Sequence, residues 1–155
     1  MKENQYERDL IQLCKERMTS IIAPNIIICL DQLSDNDLWK APPNQYSIGS
    51  IVLHCLEEIK LHTLQLHNPH THYKSLENYF PVKNLSAKRL SSTYATVVMN
   101  WNDTVSKLKS EQTPIDEQRL VSLLFELNYY TGKIVDRSKQ LSTKMIVTKK
   151  QLSQS

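Results

Sequence analysis

The stretch Leu123-Leu124-Phe125-Glu126-Leu127-Asn128-Tyr129-Tyr130-Thr131-Gly132-Lys133-Ile134 decides how the chain is read. Leu120, Leu123, Leu127, Tyr130, Ile134 and Leu141 recur at helical steps, so they fall on one face of a helix. Glu126 and Tyr130 stand one turn apart on that helix. Gly132 is one of only two glycines in the chain. A glycine inside a helix costs about 1 kcal/mol against alanine, which predicts that another helix or a ligand comes close there. The other glycine, Gly49, precedes His54 in Tyr46-Ser47-Ile48-Gly49-Ser50-Ile51-Val52-Leu53-His54.

Working outward, the remaining segments also read as helices. Tyr6, Leu10, Leu13, Ile21, Cys29 and Leu33 outline a first helix over about 3–33, with Pro24 expected to kink it or divide it in two. Ser34 begins a short turn through Trp39. Ser47 is the expected N-cap of a second helix, 48–67, which is apolar on nearly all sides and therefore needs several neighbours. His54, Glu58 and His62 form a narrow polar strip along it. The loop 68–85 is long enough to cross the whole domain, so helices two and three need not be antiparallel neighbours. Ser86 caps a third helix, 87–109, and Thr113-Pro114 is expected to open a fourth that ends near Leu141. The chain thus divides into a helical bundle over 1–141 and a basic tail over 142–155, either docked through Met145-Ile146-Val147 or disordered.

Composition narrows the function classes. The 155 residues suffice for one domain with a real core, and two glycines are few for an all-β protein. A net charge of +3 with scattered Lys and Arg does not suggest a nucleic-acid surface. The longest apolar run, Ile26 to Leu30, is far short of the roughly 20 residues that span a bilayer. The polar start of the chain lacks a signal-peptide core. Cys14, Cys29 and Cys55 are odd in number and lack CxxC spacing, so they read as buried reduced thiols. The expected location is the cytoplasm.

Leu33-Ser34-Asp35-Asn36-Asp37-Leu38-Trp39, Pro43, Ser47-Ile48-Gly49 and His54, followed by Glu126-Leu127-Asn128-Tyr129-Tyr130-Thr131-Gly132-Lys133-Ile134, resemble the motifs of DinB/YfiT-like proteins in order and spacing. The resemblance covers about residues 5 to 141. It implies an all-α four-helix bundle with up-down-down-up topology and a long crossover between helices two and three. It also implies a divalent metal, often zinc or nickel, held by three histidines in a cleft. Family activities include metal-dependent thiol transfer, mycothiol-dependent isomerisation and hydrolase-like chemistry. A homodimer is expected on the same grounds, and because the second helix is apolar all round and the first is rich in isoleucine.

The ligand positions depart from the pattern. His54 falls on the first, Glu126 on the second and Tyr130 on the third, while Lys133 replaces the usual glutamine. Glutamate can donate to a metal, but a phenol with a reference pKa near 10 must first lose its proton. His54 is either a ligand or hydrogen-bonded to Glu126 or Tyr130. His62 lies two turns from His54, about 12 Å along the axis, too far to share an ion. His67, His70 and His72 fall at or within the crossover, where a flexible backbone organises no site. Three readings remain: a non-catalytic protein that binds a small molecule or partner in the cleft, with no metal or a weakly held one; a metal-dependent enzyme using His54 and Glu126; and a structural homodimer without ligand.

Overall fold

The computed structural model describes the backbone of residues 5–153 and the side chains of residues 5–141. All regular structure among them is helical. α1 (Gln5–Arg17) passes through one π-helical stretch, Met18–Ile22, into α2 (Ala23–Gln32). The short α3 (Asp35–Trp39), then α4 (Ile48–His67), α5 (Ala87–Ser110) and α6 (Glu117–Ser153) complete the order. None of the described helices is long and apolar enough to cross a membrane.

Pro24 does not divide the first helix. The wider π-turn lies just before it, and Ala23 N–H bonds the Met18 carbonyl, so the proline falls in the first turn of α2, where its missing donor is least costly. Ser34, Ser47 and Ser86 each accept a backbone N–H three residues on, capping α3, α4 and α5 as expected. α6 differs at both ends. Its cap is Asp116, whose carboxylate accepts Arg119 N–H at 3.1 Å, so Pro114 precedes the helix and does not open it. The helix also continues beyond Leu141 to Ser153.

Cross-chain contacts give the directions. Ser91 donates to Asp31 and Lys109 to Gln12, so α5 runs against the α1–α2 rod. Trp101 meets His62 and Tyr94 lies beside Cys55, so α4 and α5 run the same way. His54 meets Glu126 while His62 feels the charge of Arg119, so α6 runs against α4. The core fills the space between these four long rods, with Trp101, Tyr94, Met18, Ile26, Leu56 and Leu120 fully enclosed. The all-round apolarity of α4 is largely absorbed within the chain, since α3, α5 and α6 pack on it. Cys14, Cys29 and Cys55 are buried free thiols.

The two glycines part company. A Cβ on Gly49 would stand 2.6–2.8 Å from the Trp39 ring, so α3 seats its indole directly on the α4 backbone. Trp39 is held there by its Nε1–H, which donates to the Leu85 carbonyl at 2.8 Å. Gly132 has no such neighbour: nothing lies within 4 Å of where its Cβ would be. The close approach expected there is absent among the described residues, because this side of α6 turns away from the bundle.

Candidate metal centre

His54 is buried in the first half of α4, where Ser47 and Gly49 anchor the helix start against α3. Its ring makes two hydrogen bonds. Nδ1 lies 2.9 Å from the Tyr79 carbonyl in the crossover, and Nε2 lies 2.9 Å from Glu126 Oε1 on α6. A carbonyl only accepts, so Nδ1 carries hydrogen and Nε2 faces the carboxylate. One turn along α4, Glu58 Oε1 stands 3.8 Å from the same Nε2. His54, Glu58 and Glu126 offer ligand atoms that all lie within 4.8 Å of one another.

The structure therefore brings together two of the three residues that the family pattern singles out, His54 and Glu126. Tyr130 meets His54 ring edge to face, with 4.9 Å between centroids. Burial, then the charge of Glu126, raises its phenol further above an already high value, so it stays protonated and is a weak ligand at neutral pH. Glu58 is the residue that motif reasoning missed. Its signal was the His54–Glu58–His62 strip at four-residue steps. The cluster includes none of His67, His70 or His72.

Aromatic rings wall off one side of the imidazole. Phe80 stacks on His54 with centroids 4.3 Å apart, and Tyr46 stacks on Phe80 at 4.0 Å. Arg137 donates to the Tyr46 carbonyl and ties this ladder to α6. The other side is open. Glu58 and Glu126 line a cleft of about 410 Å³ that continues between α4 and α6 past His62 and Arg119.

Electrostatics at the centre are strained by like charge. Burial alone would lower His54, but the hydrogen bonds to Glu126 and Tyr79 and the two carboxylate charges outweigh it and hold the imidazole above its ordinary value. Burial, then the charge of Glu126, raises Glu58, with His54 opposing. Cys55 is pushed far up, first by burial and then by the same carboxylates, so it is no nucleophile. Nε2 and Glu126 at 2.9 Å need a cation between them, either a proton or a metal. A single proton serves Glu126 and leaves Glu58 without a hydrogen bond among the described residues. Matched against family models, curated proteins and solved structures, the chain finds no counterpart.

Proposed function

We propose that the chain is a DinB-like metal protein, which holds one divalent cation with His54, Glu58 and Glu126 and presents it to a small molecule in the cleft. The carrying observation is Glu58. A carboxylate beside a second carboxylate, with only one shared imidazole, calls for a doubly charged cation, which would neutralise both. Donor spacing supports this. Metal–ligand bonds near 2.1 Å put neighbouring donors roughly 3.0–3.4 Å apart, and the Nε2–oxygen distances here are 2.9 and 3.8 Å. The Tyr79 carbonyl on Nδ1 is the kind of outer contact that orients a ligating histidine. The helix directions, up, down, down and up, support the family resemblance.

One imidazole with two carboxylates is richer in oxygen than a three-histidine set, which favours manganese(II) or zinc over nickel. Three protein ligands also leave coordination positions open toward the cleft, which supports a second reading, Lewis-acid catalysis on the bound molecule.

Calorimetric titration of chelator-treated protein with manganese(II) chloride and with zinc chloride tests the first reading. One equivalent is expected to bind, Glu58→Gln is expected to lose at least about tenfold in affinity, and Tyr130→Phe is expected to change little. Absence of binding, or a Glu58→Gln variant that binds like the parent, would overturn it.

A further inference from the structure

The cleft has a second end. Arg119 stands seven residues before Glu126 on α6, about 10 Å along the axis, and His62 stands eight residues after His54 and four after Glu58 on α4, about 12 Å and 6 Å along it. His62 is 4% exposed, and its Nδ1 accepts the Trp101 indole N–H at 2.9 Å. An indole N–H only donates, so in the neutral imidazole Nε2 carries the hydrogen. Burial, then the charge of Arg119, lowers this imidazole to about 4 against the pull of Asp116, so it is neutral at physiological pH. No acceptor for that Nε2–H is found among the described residues. Arg119 donates to the Pro69 carbonyl at 3.2 Å and lies 3.6 Å from Asp116, which leaves guanidinium N–H groups for another acceptor.

We propose that His62 Nε2–H and Arg119 form a subsite for the carboxylate of a small organic acid. One guanidinium and one neutral donor suit a single negative charge. Asp116 at their side, with Glu58 and Glu126 farther along, disfavours a phosphate dianion. A ligand that spans the cleft places its carboxylate here and its reactive end at the carboxylate cluster. Only that last clause rests on the metal reading.

Trp101 reports on the subsite through its bond to His62, while Trp39, bonded to Leu85, is an internal control. In chelator-treated protein labelled with nitrogen-15 at tryptophan, acetate titrated at constant ionic strength is expected to move the Trp101 indole resonance saturably and leave Trp39 in place. Arg119→Gln, a change at an exposed position, is expected to weaken acetate by about tenfold. A Trp101 signal that does not saturate, or two indoles that move together, would overturn the subsite. Tighter binding of inorganic phosphate than of acetate would overturn the carboxylate class. The metal titration uses no acid, so failure of the centre and failure of the subsite are read separately.

A second surface is independent of the cleft. Arg17 donates to Asn128 at 3.2 Å and Cys29 bonds Ser138, so α6 lies along the α1–α2 rod in the same direction. Leu13, Ile21 and Ile28 share the face of Arg17, and Val121, Phe125 and Gly132 share that of Asn128. The five large side chains are exposed, Phe125 by 76%. Together they show on the order of 500 Å² of apolar surface, about the apolar share of an interface that covers ~800 Å² per partner.

We infer that this face joins a second copy of the chain. A two-fold axis near Asn128 that pairs α6 with α6 antiparallel sets Phe125 of each copy over Gly132 of the other, filling the space left open beside that glycine. Light scattering at tens of micromolar is expected to give a dimer for the parent and monomers for Phe125→Glu and Gly132→Leu, with helical circular dichroism retained. A monomeric parent, or variants that remain dimers, would overturn the assignment.

Discussion

His62 makes a stability prediction whose sign follows from its surroundings. Its unfolded value is about 6.5 and its folded value about 4, so the unfolded chain takes up the proton first. The contribution is complete above pH 6.5 and is lost as pH falls toward 4, by at most roughly 3 kcal/mol at 1.36 kcal/mol per unit. Arg119 and Asp116 face it from α6 and its N-cap, and Trp101 from α5. Glu58, held above its ordinary value, runs the opposite way: its part is present at acid pH and lost as pH rises. The comparison is therefore with His62→Gln, which keeps an acceptor for Trp101. Urea unfolding between pH 7 and 4.5 should show the parent losing about 2 kcal/mol more than the variant. Parallel curves would mean that His62 does not carry the effect. The strip of His54, Glu58 and His62 was legible in the sequence, but its division of labour was not. The strip spans two full turns, and only the packing of α5 and α6 around α4 sends His62 to an indole and Glu58 to a second carboxylate.

Two glycines, each inside a helix, looked alike in the sequence and act differently as parts of elements. At Gly49 the Trp39 ring occupies the space of a Cβ, and Trp39 cannot easily retreat because its indole is bonded to Leu85. Gly49→Ala should therefore destabilise by about 1–2 kcal/mol, with overpacking exceeding the gain in helix propensity. Thermal unfolding measures this, and a raised melting temperature would show that α3 yields freely. At Gly132 the described residues supply no such obstacle. Helix periods and the three serine caps were readable because they depend on local spacing. The start of α6 was not, since Pro114 and Asp116 both offer start signals and only the carboxylate makes its bond. Pro24 marked the place of an irregularity but not its kind, for a related reason. A π-turn placed before a proline lets the helix continue, and nothing in residue type alone announces it.

For the whole molecule, helical character and the long crossover were legible from apolar periodicity and from the Pro-containing gap between α4 and α5. The role of the crossover was not, since irregular backbone carries no periodic signal. It delivers the Tyr79 carbonyl to one face of the centre's imidazole bonding pattern and the Phe80 ring to its flank. His54 thus gathers partners 25 and 72 residues away in the chain. Each contact closes a different loop, and each closure carries its own entropic cost. The imidazole consequently acts as a coincidence detector: it has its full set of partners only when the α4–α6 pair has docked and the crossover has been laid down across it. A chain with every helix formed but the crossover adrift would keep its helical content and lack an oriented Nε2.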